Sequence, residues 1–91
     1  MRFKFQSSFD RCFKKSLPNK KYLVLEAIEK LKIFYETNRL SQGLGLKNLR
    51  KNYWEIRASL RDRVLFSLND DMVNFILVGN HDDIRRYLKN L

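Results

Sequence analysis

The spacing of apolar residues changes once along this 91-residue chain, at the glycine-containing segment 41–45. Before this segment, residues 19–39 carry an apolar stripe at helical spacing, which comprises Val24, Ala27, Ile28, Leu31, Phe34 and Tyr35. After it, an alternation of period two predicts strands over 53–58 and 63–68, and a largely apolar run predicts a central strand over 72–78. Because helices are followed by strands, the pattern predicts an α+β fold.

The two ends of the chain add one strand and two helices. The alternation of residues 1–6 predicts a strand, and the next helix presents one face, formed by Phe9, Cys12, Phe13 and Leu17. Pro18 ends that helix and opens the next, so the two are expected to form a hairpin. Polar residues from Asn80 to Asp83 supply caps for a short last helix over 82–89. Residues 1–91 are therefore predicted to form a single domain.

The expected architecture is a helical hairpin packed on one face of a small antiparallel sheet, with a short C-terminal helix. The other face of the sheet is expected to carry the charged residues of the alternating strands. Residues 44–51 are predicted to form a basic loop with spaced leucines.

The charge distribution narrows the class of partner. The chain carries 19 basic and 10 acidic residues, a net charge of +9. The excess lies in residues 1–21, with seven basic and one acidic, and in 41–69, with six and two. Such an excess indicates a polyanionic partner: nucleic acid, an acidic protein or an anionic membrane surface. The alternative is that the charge serves solubility alone. No apolar run is long enough to span a bilayer or to act as a secretory signal, which favours a cytoplasmic protein without a membrane partner.

Some classes of site are excluded by residue counts. One Cys excludes an internal disulfide, and one Cys with one His is too few for a zinc site, so no metal is expected. The two glycines of 43–45 do not follow a predicted strand, so no nucleotide-binding loop and no cofactor are expected.

The charged face of the sheet offers a phosphate site. Arg57 and Arg63 are predicted to lie on neighbouring strands, and two adjacent guanidinium groups suit a phosphate. The alternative is a solvated strand face on which Glu55 bridges both arginines. His81, between a strand and a helix, is either a helix-entry residue or a group that exchanges protons near neutral pH.

The surroundings of this face suit RNA. A basic group is predicted to flank one end of the sheet and to follow a nucleic-acid backbone: Lys47, Arg50, Lys51 and Arg61. Tyr53 and Tyr87 are candidate stacking surfaces for bases, or core residues. RNA carries its own nucleophile, the 2′-hydroxyl, so its cleavage needs only cations at the phosphate and a group that moves protons.

Several stretches, in this order and spacing, resemble the RelE/ParE superfamily of toxin–antitoxin toxins: residues 45–50, 53–57, 63–66, 78–84 and 87–88. The resemblance implies a helical hairpin on a small antiparallel sheet, cleavage of mRNA on the ribosome and a cognate antitoxin as partner. It assigns Arg57 and Arg63 to the phosphate, His81 to the catalytic histidine of YafQ-like members and Tyr87 to the terminal tyrosine of RelE. Arg85 joins the RNA-contacting group.

The chain also departs from this pattern. The strand lysines of RelE are replaced in the region of Trp54–Ile56, and the loop glutamate of YoeB-like members is replaced by Leu44 or Leu46. Glu55 is the nearest carboxylate and is included among the catalytic candidates. Two alternatives stay open: a ParE-like inhibitor of DNA gyrase, and a non-catalytic member that binds only RNA or an antitoxin.

Overall fold

The computed structural model describes residues 1–91 and contains three helices and five strands. The elements are β1 (Arg2–Phe5), α1 (Ser7–Lys15), α2 (Pro18–Thr37), β2 (Lys47–Arg50), β3 (Tyr53–Arg57), β4 (Arg63–Asn69), β5 (Met72–Gly79) and α3 (His81–Lys89). The predicted α+β class is confirmed. No helix is long and apolar enough to cross a membrane.

The five strands form one sheet in the order β1-β5-β4-β3-β2. Strands β2 to β5 pair antiparallel, whereas β1 pairs parallel with β5. The small sheet that was predicted to be antiparallel is therefore mixed, because of β1. The helical hairpin carries the chain from one edge of the sheet to the other, and three successive reversals then bring β5 back beside β1 in the same direction. An alternating pattern cannot show this, because it carries no information on strand direction.

The helical hairpin covers the first face of the sheet. Buried residues of α2, including Val24, Ile28 and Leu31, share a core with Ile56 and Phe66 of the sheet. The buried residues of α2 therefore all belong to the apolar stripe that the sequence predicts.

Helix α2 begins at Pro18, in the position where a proline costs no hydrogen bond. It ends at Thr37, and the capping residue Asn38 follows in the left-handed region (φ 62°). Leu17, predicted to share the buried face of α1, lies outside that helix and is exposed, because the chain turns there into α2.

Strand β2 replaces part of the predicted basic loop. Its register against β3 shifts between Asn48 and Arg50, which makes Leu49 an extra residue. The bulge interrupts the alternation that identifies a strand, and most of its side chains are charged or polar. Gly43 and Gly45 precede it with positive φ angles of 84° and 64°. Both are conformations that L residues rarely adopt.

Helix α3 lies on the second face of the sheet, although all helices were expected on the first. Ile84 is buried against Leu65 and Ile76, with Tyr87 and Leu88 packed beside them. The register of β4 against β5 shifts at Ile76, and this bulge adds a second apolar side chain to the face that Leu77 occupies. Helix α3 therefore covers part of the face that was expected to be charged and exposed.

The start of α3 is fixed by reciprocal hydrogen bonds. The Asn80 side chain accepts from the backbone N–H of Asp83 at 2.9 Å, and the Asp83 carboxylate accepts from that of Asn80 at 2.8 Å. This capping box confirms the predicted helix start to within one residue. A Cβ on Gly79 would lie 2.7 Å from Asp83, so the close approach requires glycine there.

Candidate active site

An ion pair between two strands anchors the candidate site. Oε2 of Glu55 on β3 lies 3.3 Å from Nε of Arg63 on β4, and their side chains are only 9% and 17% exposed. Nε and Nη1 of Arg63 are buried and have no hydrogen-bond partner. The carboxylate therefore compensates the charge but does not satisfy all the guanidinium donors, which in a substrate complex would suit a phosphate oxygen.

Glu55 differs from its expected setting. The alternation predicted an exposed charged face, but Glu55 is buried. Lys47 of β2 lies directly opposite it, and α3 covers part of the face. A buried carboxylate is retained only where cations compensate it, which Arg63 does here.

Arg57 lies directly opposite Arg63 in the register of β3 and β4, but its surroundings differ. It is exposed and lines a cavity of about 220 Å³ against α2, together with Glu26 and Lys30. Gly45 lies beside it, where a Cβ would approach the Arg57 Cβ to 3.1 Å. The two arginines are neighbours, yet only Arg63 is tied to Glu55.

A second group of side chains meets Glu55 beneath α3. A cavity of about 180 Å³ is lined by Leu49, Glu55, His81, Ile84, Arg85 and Leu88. His81 is the first residue of α3, and Arg85 follows one turn later on the same side. Nη2 of Arg85 lies 2.7 Å from Nε2 of His81. The docking of α3 thus brings a carboxylate, an imidazole and a guanidinium to one cavity.

Tyr87 lies outside this cavity. Its ring packs edge-on against Tyr53, with ring centroids 6.4 Å apart, and it borders a separate cavity of about 520 Å³ that Cys12 and Leu77 also line. Burial, together with the nearby Tyr53, raises the pKa of Tyr87. The phenol therefore stays protonated at neutral pH, and the structure does not bring it together with His81 and Glu55.

The predicted basic group is divided between the two ends of β3. Lys51 lies in the turn before β3, whereas Arg61 lies in the turn after it, so the expectation that they flank one end was wrong. Period-two patterns do not show which turns lie together. Nη1 of Arg50 donates to the backbone oxygen of Leu88 at 3.3 Å, which ties β2 to the last turn of α3.

Arg85 has a contact that the charge pattern did not reveal. It was predicted to contact RNA, and its contact with His81 follows from a spacing of four residues on a helix. That spacing is visible in the sequence once the helix is placed. The apolar lining residues Leu49, Ile84 and Leu88 depend on the fold and were not predictable as site residues.

No protein-family model matches the chain, and no curated protein matches it by sequence. Solved structures do match it. A RelB–RelE antitoxin–toxin complex from Methanococcus jannaschii has a chain that aligns with a TM-score of 0.65 and 20% identity, over 92% of this chain and 96% of that one. This chain has the fold of the RelE-type toxins.

Two further structures have the same fold at low identity. A DinJ–YafQ complex from E. coli aligns with a TM-score of 0.66 and 18% identity, over 92% of this chain and 98% of that one. A YoeB/ParE toxin from Agrobacterium tumefaciens aligns with a TM-score of 0.67 and 13% identity, over 89% and 99%. The RelE-type resemblance is thus confirmed for the fold, and residue roles have to be argued from the site itself.

Proposed function

We propose that this chain acts as a single-domain toxin of a toxin–antitoxin pair and cleaves RNA at the cavity between α3 and β3. The observation that carries the proposal is the buried Arg63 guanidinium, which is held by Glu55 and has unpartnered donors. Its carboxylate partner shares a cavity with His81 and Arg85. A cationic phosphate ligand and proton-exchanging groups are what RNA cleavage by its own 2′-hydroxyl requires.

In the proposed reaction, Arg63 binds the phosphate that is attacked and stabilises the charge that develops on its oxygens. The 2′-oxygen of the preceding ribose attacks the phosphorus, and the bond to the 5′-oxygen breaks. The 2′-hydroxyl loses its proton as it attacks, and the leaving 5′-oxygen gains one; His81 takes part in one of these transfers, and Glu55 or water takes part in the other. Arg57 and Lys47 contribute positive charge along the bound strand.

Messenger RNA on the ribosome is the proposed natural substrate, which sets the cytoplasm as the place of action. The proposed Arg63 role predicts a loss of rate by roughly 10²–10³-fold in the Arg63→Ala variant. Arg39→Ala, in the exposed segment after α2, is the matched control and should cleave at the wild-type rate.

The assay maps cleavage of a defined mRNA by primer extension, with and without ribosomes, and circular dichroism checks the fold of each variant. Arg63→Lys keeps a positive charge, and is the second variant should Arg63→Ala unfold. A substrate with a 2′-deoxy nucleotide at the mapped site should resist cleavage. Its cleavage, or full activity of folded Arg63→Ala, would contradict the proposal. Inhibition of DNA supercoiling without RNA cleavage would instead indicate a gyrase inhibitor.

The proposed partner is an antitoxin with an acidic segment that covers the basic surface. The net charge of +9 and the antitoxin-bound state of two fold neighbours support this. Electrostatic steering should make association faster at low salt. The test is binding kinetics with the product of the adjacent small gene; an on-rate indifferent to ionic strength would contradict the steering.

A further inference from the structure

The histidine of the cavity is already engaged by a neighbour on its own helix. Nη2 of Arg85 lies 2.7 Å from Nε2 of His81, a short distance for a hydrogen bond between two nitrogens. An arginine side chain can only donate hydrogen bonds. Nε2 of His81 therefore accepts, and the ring in this arrangement is neutral with its proton on Nδ1.

This contact has a consequence for proton transfer. The lone pair of Nε2 is the one that would take a proton from an RNA 2′-hydroxyl, and it is occupied by Arg85. Both side chains are exposed to solvent, so water competes with the contact and it exchanges easily. Nε2 is thus occupied by a hydrogen bond from Arg85, and a stronger hydrogen-bond acceptor for Arg85 can displace it.

A phosphate is such a ligand. Guanidinium–phosphate hydrogen bonds are charge-assisted and often bidentate, whereas a neutral imidazole offers one ordinary acceptor. Arg85 lines the same cavity as Glu55, which in turn holds Arg63. A phosphate that enters this cavity would therefore meet Arg85 there.

We propose that Arg85 is a positioning residue that masks Nε2 of His81 in the free protein, and that an RNA phosphate entering the cavity draws Arg85 away and frees this nitrogen. The release step rests on the RNA-cleaving function proposed above, whereas the masking contact does not. Substrate binding then increases the fraction of the imidazole that is competent for proton transfer. Arg85 has two successive partners, the histidine and the phosphate.

The masking contact is tested in the free protein by nitrogen-15 NMR of the His81 ring, at about pH 8.5, where ordinary imidazoles are neutral. Wild-type protein should show a protonated Nδ1 and an unprotonated Nε2. Arg85→Met keeps the length of the side chain but removes the donors, and should shift the ring towards the Nε2–H form that free imidazole side chains favour in water. Arg86→Met is the matched control, because Arg86 pairs with Asp83 instead, and should keep the wild-type pattern. An unchanged spectrum in folded Arg85→Met would overturn the masking.

The release is tested with an all-deoxy oligonucleotide, which has phosphates but no 2′-hydroxyl and is not cleaved. In wild-type protein the Arg85 guanidinium and His81 Nε2 signals should shift together, in proportion to the bound fraction. In Arg85→Met the His81 signal should change at least fivefold less at equal saturation. An oligonucleotide that does not bind, or one that binds without moving the His81 signal, would overturn the release. RNA cleavage by wild-type protein is measured separately, so a failure of the proposed activity is distinguishable from a failure of the masking.

Discussion

The ion pair between Glu55 and Arg63 allows a quantitative prediction of the free energy of unfolding for variants that lack one partner. At 3.3 Å and an effective dielectric constant of about 20, two unit charges attract by about 5 kcal/mol, most of which desolvation offsets. Removing one partner leaves the other charge buried, which costs about 3–5 kcal/mol in a fully buried pair. Because Arg63 keeps 17% exposure, we expect Glu55→Leu to lower the free energy of unfolding by about 2–3 kcal/mol.

The matched double variant, Glu55→Leu with Arg63→Met, replaces the pair by apolar side chains of similar size. Such replacements are often near neutral, so it should recover most of the loss. Urea denaturation of wild type, both single variants and the double variant gives a coupling free energy, expected near 2 kcal/mol in magnitude. In a domain of this size, about 2 kcal/mol corresponds to a melting temperature lower by roughly 8–16 °C. A single-variant loss below about 0.5 kcal/mol, or a double variant no more stable than either single, would refute this account of the pair.

Added inorganic phosphate extends the same test to binding. In Glu55→Leu the Arg63 guanidinium has lost its carboxylate partner, so no negative charge there repels an incoming phosphate. Phosphate should therefore raise the melting temperature of this variant more than that of wild type, by linkage of binding to folding. It should leave the double variant unaffected at matched ionic strength, set with chloride. Equal phosphate effects in all three proteins would mean that Arg63 is not the phosphate ligand.

The remaining predictions concern α3 and its attachment. His81→Gln keeps hydrogen-bonding capacity but cannot titrate, so we expect cleavage to fall at least 10²-fold between pH 6 and 8; a wild-type rate throughout would leave His81 as a helix-entry residue. Because Tyr87 lies outside the His81 cavity, Tyr87→Phe should change the cleavage rate less than threefold, and a loss comparable to that of His81→Gln would show that substrate binding moves it into the site. Arg50→Met removes the hydrogen bond to Leu88 and should increase amide exchange in α3 by about fivefold, the equivalent of about 1 kcal/mol, while β4 stays protected. Unchanged exchange in α3 would show that the apolar contacts alone hold the helix.

The sequence was sufficient for the elements whose patterns are uninterrupted. The helical stripe that includes Val24 and Leu31 identified α2 and its buried face, and Pro18 marked its start. The capping residues from Asn80 to Asp83 marked the start of α3. In these places the local preference and the tertiary packing agree, so local reasoning is enough.

Two of the features that were not predictable arise at the bulges. Leu49 breaks the alternation of β2, which hid a strand, and Ile76 adds a second apolar residue to the face of β5 that α3 covers. Because the sequence did not predict that α3 covers this face, it did not predict that Glu55 is buried. The site is thus built where the sheet departs from regular pairing, which is where period-two reasoning fails.

Arg57 and Arg63 lie directly opposite each other on neighbouring strands, yet their surroundings differ. Arg57 and Arg63 are equivalent in the sequence pattern, since each lies at the hairpin end of an alternating strand. Gly45, in the segment before edge strand β2, lies beside Arg57. Because glycine has no side chain that could cover Arg57, this arginine stays exposed. Arg63 lies on the central strand between β3 and β5, near Glu55, and its side chain is largely buried, with Nε and Nη1 lacking hydrogen-bond partners. Burial strengthens an arginine's interaction with a phosphate because less water competes for its donors. Position in the sheet, rather than residue type, therefore favours Arg63 as the phosphate ligand and leaves Arg57 to contact the strand that leads to it.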